Sequence, residues 1–135
     1  MKDVIKINTN ISLLDINFIH SFISDTYWAK GRTLETMQIC IDNSLNFGVY
    51  LQNKQVGYAR IVTDYGHFAY LMDLFIDPEH RGKGYSGQLM NFILNFEKLK
   101  QVKVWRLATS DAHGLYEKVG FKPLEHPENL MELKK

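Results

Sequence analysis

Only one cysteine, Cys40, occurs in the chain, so no internal disulfide can form, and the composition suits a reducing compartment. An excess of either charge is missing as well. Lys plus Arg number 16 against 15 Asp plus Glu, a net charge of +1, so no global field draws the protein onto nucleic acid or an anionic membrane. Any anion site must therefore be local. No stretch approaches the ~18 uninterrupted apolar residues that a membrane span requires. The opening "MKDVIKINTN" lacks the apolar core of a secretory signal, and the expected compartment is cytoplasmic. Cys40 stands alone, and His113 and His126 fall on different predicted elements, so no metal site is expected. What remains is a 135-residue chain with 45% hydrophobic residues, enough for one domain spanning residues 1–135 around one core.

Hydrophobic periodicity organises that chain into alternating types of element. "DVIKIN" alternates apolar and polar residues and predicts a short first strand. "SLLDINFIHSFI" has Ser12 and Asp15 in a cap-like spacing, then Leu13, Ile16, Ile19 and Ile23 at helical intervals. "TLETMQICIDNSL" predicts a second helix from Leu34, Met37, Ile41 and Leu45, capped by Thr33 and carrying Cys40 as a buried inert thiol. Three strand-like runs follow, "FGVYL", "QVGYARIVT" and "FAYLMDLFI", separated by "QNK" and "DYGH"; two hairpins in series make an antiparallel meander. "YSGQLMNFILNFEKL" places Leu89, Phe92, Ile93 and Phe96 on one helical face. "KVWRLAT" predicts a strand, "SDAHGLYEKVG" a short helix capped by Ser110 or Asp111 and stopped at Gly120, and "FKPL" and "NLMEL" two closing strands.

Between the third meander strand and the next helix lies "HRGKGYSG". A strand that ends in a glycine-rich turn and enters a helix presents unpaired amides and the positive end of the helix dipole at one spot. Arg81 and Lys83 add charge there, while Gly82, Gly84 and Gly87 remove the Cβ atoms that would hold phosphates away from the backbone. The three glycines satisfy G-x-G-x-x-G, but the dinucleotide fingerprint also needs an acidic residue about 20 positions on, where this chain has "KVWR". The Walker pattern fails because Gln88-Leu89 follows Gly87 in place of Lys-Ser or Lys-Thr.

"FIDPEHRGKGYSGQLM" resembles the acyl-coenzyme A binding segment of the GNAT superfamily of N-acetyltransferases, with its Q/R-x-x-G-x-G/A signature. Arg81 takes the first position, Gly84 the middle one, and Ser86 stands at the last. "GLYEKVGFKPL" resembles the late "LYEKxGF" segment of the same family, and the element order β-α-α-β-β-β-α-β-α-β-β resembles the family's order. The resemblance implies a single-domain α/β (α+β) fold whose mixed, mostly antiparallel central sheet is flanked by helices and splays at the cofactor site. It implies acetyl-coenzyme A as cofactor, with Leu74, Phe75 and Ile76 alongside the pantetheine. Gly82, Lys83, Gly84, Tyr85, Ser86 and Gly87, with Arg81, would hold the diphosphate, and Ala112 would lie near the coenzyme.

The activity so implied is acetyl transfer to a primary amine of a small-molecule acceptor; a silent acyl-coenzyme A sensor is the alternative. Tyr116 matches the family's tyrosine and is the expected partner of the leaving thiolate, with core packing as its other reading. "LMDLFI" is similar to the "LEDxxV" stretch of polyamine-type acetyltransferases, with Met72 in place of the glutamate base. Asp73 is therefore the candidate base, and an ion pair with Arg60 or Arg106 is its other explanation; His67 and His113 are further proton acceptors to consider. The loop "DTYWAKGRT" offers Tyr27, Trp28 and Arg32 to the acceptor, with Trp28 pinning the loop to the core as the other reading, and a free Arg32 would favour an acceptor bearing a carboxylate or phosphate. "KLKQVKVWR" spans a helix end and a strand, which suits a solvated rim better than nucleic-acid binding. "NLMEL" could pair across a homodimer.

Overall fold

The structure is a computed structural model and describes residues 4–135, so Asp3, the expected start of the first strand, lies outside the described residues. Five strands and four α-helices follow one another as β1 (Lys6–Asn8), α1 (Ile16–Ile23), α2 (Leu34–Asp42), β2 (Leu45–Leu51), β3 (Lys54–Thr63), β4 (Phe68–Ile76), α3 (Tyr85–Leu94), β5 (Val104–Arg106) and α4 (His113–Glu117). The strands form one sheet in the order β1-β2-β3-β4-β5. Every neighbouring pair is antiparallel except β4 and β5, which run parallel. This is the expected mixed, mostly antiparallel sheet, and through α4 the elements come in the expected sequence.

Helices cover the sheet through two hydrophobic clusters. In one, Leu89, Met90 and Ile93 of α3 are fully buried against Phe47, Val49, Ala59, Ile61, Ala69 and Leu71 of the sheet. Burying each of these α3 side chains contributes about 1.5–3 kcal/mol, which fixes the helix, and with it the glycine loop, to the sheet. In the other, Ile19 and Ile23 of α1 and Met37 and Ile41 of α2 enclose Tyr58 and Phe75.

β4 changes phase partway along. Tyr58 pairs with Phe75 and Arg60 with Met72, so Ala59 alone faces both Asp73 and Leu74. The extra residue is a β-bulge, and Asp73 occupies it with φ of +56°, a left-handed conformation open to Asp at modest cost. Ala69 and Leu71 before the bulge, and Ile76 after it, belong to the α3 cluster, whereas Phe75 belongs to the α1–α2 cluster.

Several boundaries differ from expectation. α1 starts later than Ser12: a 3-10 turn spans Ile11–Leu13, and Asp15 caps the helix by accepting from the Phe18 amide at 3.0 Å. Thr33 caps α2 as expected, but Leu45 is the first residue of β2. Cys40 is only partly buried. Neither Ser110 nor Asp111 caps α4; the Thr109 hydroxyl accepts from the Ala112 amide at 3.0 Å. The two closing strands do not form. Pro123 and Pro127 cannot donate to a ladder, a 3-10 turn occupies Pro127–Asn129, and residues 122–135 are exposed.

Candidate active site

The glycine loop keeps its amides bare. Gly84 is the N-cap of α3 with φ of +78°, and Gly82 has φ of +77°, conformations that favour glycine. The first helical bond that closes is from the Gln88 amide to the Gly84 carbonyl, at 3.1 Å. Among the described residues, no protein acceptor pairs with any amide from Gly82 through Gly87. A Cβ placed on Gly82, Gly84 or Gly87 would meet no atom within 4 Å, so protein packing does not demand glycine at these positions. Six N–H groups without a protein acceptor, at and just before the N-terminus of α3 where the helix dipole is positive, form a cradle suited to an anion with several oxygens. Lys83 is exposed beside it. Arg81 folds back, its Nε donating to the Ile76 carbonyl at 3.0 Å and its guanidinium lying 5.8 Å from the centre of the Phe22 ring. Tyr85 is buried in the α3 cluster, so it contributes only its amide to the cradle.

From this cradle a cleft of about 1120 Å³ runs between β4 and the segment after β5. It exists because the parallel pairing ends at Tyr70 and Arg106, after which the two chains diverge. Leu74, Phe75, Ile76, Arg81, Ser86 and Ala112 line it, as do Tyr27, Trp28, Arg32, Asp73 and Tyr116. Catalytic, acceptor and cofactor candidates from five separate segments are thus brought to one groove. His67 and His113 do not line it and are exposed.

Tyr116 is held by α4, its ring 5.9 Å from Phe121 in an edge-on contact, and it is 8% exposed. Its hydroxyl has no hydrogen-bond partner among the described residues. Burial, aided by the charge of Asp111 and by Tyr27, pushes its pKa up to about 12. Gly114, two residues earlier, shows no tight packing: a Cβ there would meet nothing within 4 Å.

Asp73 is placed quite differently from a free base. Its side chain is fully buried, and Oδ2 accepts from Arg60 Nε at 2.6 Å and from Arg32 Nη1 at 2.7 Å. Oδ1 accepts from Trp28 Nε1 at 3.0 Å. Burial alone would raise the pKa, but the charges and hydrogen bonds of Arg60 and Arg32 outweigh it and hold the carboxyl below its ordinary value. The ion pair with Arg60 is thus present, and the carboxylate has little affinity left for a proton. Arg32 is not free for an acidic acceptor in the way its sequence position suggested; it is mostly buried and paired. Behind it, Arg60 Nη1 also donates to Ser44 Oγ at 3.2 Å, and the Tyr58 hydroxyl donates to Asn46 Oδ1.

Tyr27 and Ser110 were not expected to meet. Ser110 Oγ donates to the Tyr27 hydroxyl at 2.6 Å, linking the α1–α2 loop to the β5–α4 loop. Nothing local in either stretch announces a contact between residues 83 apart. Arg60 was named only as a charge partner, and its even position on β3, alternating with Tyr58, was the available signal.

The mostly antiparallel sheet, parallel only between β4 and β5, thus splays beside a loop of bare amides. Residues 42–123 match the acetyltransferase (GNAT) domain, and the chain belongs to that family of acyltransferases. A protein of Xanthomonas campestris pv. campestris, described as an acetyltransferase belonging to the GNAT family, has a crystal structure that superposes with a TM-score of 0.94. It is 47% identical, over 98% of this chain and 94% of that one. A protein of Gibberella zeae described as an acetyltransferase is 28% identical, over 86% of this chain and 78% of its own. A protein of Clostridium acetobutylicum described as an acetyltransferase and solved with acetyl-CoA shares the fold with a TM-score of 0.70 at 16% identity, over 97% of this chain and 96% of that one. Among the described residues no helix is long and apolar enough to cross a membrane.

Proposed function

We propose that the protein transfers an acetyl group from acetyl-coenzyme A to the primary amine of a small-molecule acceptor, by direct attack within the cleft. The observation that carries this reading is the run of unpartnered amides from Gly82 to Gly87, opening into a groove that also holds the free hydroxyl of Tyr116. The residues fit such a cofactor: six N–H donors and Lys83 suit a diphosphate, and Arg81 would join them on leaving the Ile76 carbonyl. The backbone from Leu74 to Ile76 has no strand on its β5 side and is open to an extended amide-bearing chain. When bound, acetyl-coenzyme A supplies the acetyl group as an activated thioester.

Tyr116 then serves the departing sulfur. With a phenol pKa of about 12 and a free thiol near 8.5, complete proton transfer to the thiolate is uphill by about 5 kcal/mol. Its hydroxyl therefore acts by donating a hydrogen bond, and the proton reaches sulfur from solvent. The ammonium of the acceptor must also lose a proton before attack. Asp73 is already engaged by three donors, and His67 and His113 lie outside the groove, so that proton goes to water in the cleft or to another carboxylate lining it, Asp25, Asp111 or Glu132.

Calorimetric titration with coenzyme A, followed by incubation with acetyl-coenzyme A and a panel of primary amines with thiol release as readout, tests the reading. Heat on titration and release on at least one amine are expected. Tight coenzyme binding with no release on any amine would refute the transfer, and absence of binding would refute the cradle.

A further inference from the structure

We infer that Asp73 is a positioning residue whose buried carboxylate clamps the α1–α2 loop to the β4 bulge, so that the wall contacting the acceptor is held in register with the site of transfer. The inference rests on the acetyl-transfer reading for its kinetic consequence but on geometry alone for the clamp.

Asp73 sits at the one place where β4 carries an extra residue, after which Leu74 packs with the α3 cluster and Phe75 with the α1–α2 cluster. Its two oxygens collect three donors from two directions. Arg60 arrives from the adjacent strand, and Trp28 and Arg32 arrive from the α1–α2 loop, 45 and 41 residues away in sequence. That loop is fastened a second time, at the far lip, where Ser110 bonds the Tyr27 hydroxyl. Tyr27 and Trp28 also meet edge to face, with centroids 5.2 Å apart, so the two fastenings act on adjoining side chains. The loop therefore spans the splay between β4 and the β5–α4 segment, and each of its fastened residues lines the groove.

A buried ion pair of this kind is a weak source of stability, since well-packed apolar groups of similar volume often do as well. What apolar groups cannot do is fix direction: a carboxylate receiving an indole N–H on one oxygen and two guanidinium groups on the other has one orientation that satisfies all three. The same orientation sets the bulge and the loop together. A proton-accepting role needs the opposite, a carboxylate with an oxygen free toward the groove.

Two variants test the clamp while leaving the Asp73 carboxylate in place. Trp28→Phe keeps a ring and loses the N–H, and Arg32→Met keeps the stem and loses the guanidinium. Each should raise KM for the acceptor by roughly 10-fold, the loss of about one charge-assisted hydrogen bond, with KM for acetyl-coenzyme A within about twofold of the parent. Arg32→Lys should restore much of the loss. The acid limb of the kcat/KM profile should keep its midpoint in Asp73→Asn, measured if that variant folds; a limb that vanishes would make Asp73 the base and overturn the proposal. A second readout needs no acceptor and so separates this idea from the transfer reading. Trp28 is 45% exposed, so the readout is its mobility: in a Trp105→Phe background, the fluorescence anisotropy of Trp28 should fall when Arg32→Met is added. Unchanged anisotropy shows that the loop is held otherwise and overturns the clamp, whatever amines are or are not acetylated.

Discussion

Gly87→Ala should stabilise the free protein while weakening its hold on coenzyme A, two effects of opposite sign from a single methyl group. Gly87 lies in the first turn of α3, its φ is outside the left-handed range, and a Cβ built there meets no heavy atom within 4 Å. Alanine therefore adopts the native backbone without strain and without a clash. It also reduces the freedom of the unfolded chain, a gain of about 0.5–1 kcal/mol for glycine to alanine within a helix. For a domain of this size the gain raises Tm by roughly 2–5 °C. The open space has a different meaning for the ligand. Every helical Cβ leans toward the N-terminus, so the new methyl points to the end of α3 where the unpartnered amides cluster. A diphosphate drawn up against those amides would have to stand off, and overpacking of this order costs about 1–3 kcal/mol, a loss of roughly 5- to 150-fold in affinity. Thermal denaturation of the free protein and calorimetric titration with coenzyme A read the two effects separately. A variant that loses both stability and affinity contradicts the reading of the loop as strain-free open space. One that gains stability and binds coenzyme A within about twofold of the parent shows that the ligand does not use the space the glycine leaves.

Tyr116→Phe should lower turnover by about 10²- to 10³-fold, the loss of one hydrogen-bond donor to developing charge, with little change in fold, because the ring keeps its contact with Phe121 and only the unpartnered hydroxyl goes. Near-normal turnover in a folded variant removes Tyr116 from the chemistry. In the parent the alkaline limb of kcat should not fall at a tyrosine titration below pH ~11, since burial holds that phenol neutral to about 12. Asp73 makes a prediction about acid. Its folded pKa is depressed, so its contribution to stability is present above the unfolded value of about 3.9 and is lost as pH falls through the lower folded value. Urea unfolding compared at pH 7 and pH 3 should show a larger acid loss in the parent than in Asp73→Asn. At pH 7 that variant should itself be less stable by about 3–5 kcal/mol, because two buried guanidinium groups lose their counter-charge; equal stability at pH 7 would count against the buried cluster.

What could be read from the sequence follows the range over which each feature is determined. The meander, β4 and the start of α3 depend on alternation and periodicity within ten residues or so. "FAYLMDLFI" accordingly matches β4 from Phe68 to Ile76, and the glycine cradle follows where a strand gives way to a helix. The cleft was visible one step further out, through two motifs that converge on it. The closing strands failed because alternation in "NLMEL" says nothing about whether a partner edge is available, and Pro123 and Pro127 outweigh it locally. The bulge is subtler. Its left-handed residue is an aspartate and not a glycine, so no permissive residue marks it, and a strict period of two runs straight through Asp73.

The role of Asp73 shows why a carboxylate on a strand is ambiguous until its surroundings are known. Sequence could name Arg60 as a partner, because it lies one hairpin away, but Arg32 and Trp28 reach Asp73 only after α1, α2 and the sheet have closed around one another. A carboxylate with one arginine beside it could still turn an oxygen to the groove and accept a proton. With two guanidinium groups and an indole N–H converging on it, the proton affinity falls and the orientation is fixed, so the same side chain changes from a candidate base into a strut. The glycine loop carries the opposite lesson: its amides are functional because nothing in the fold comes to meet them.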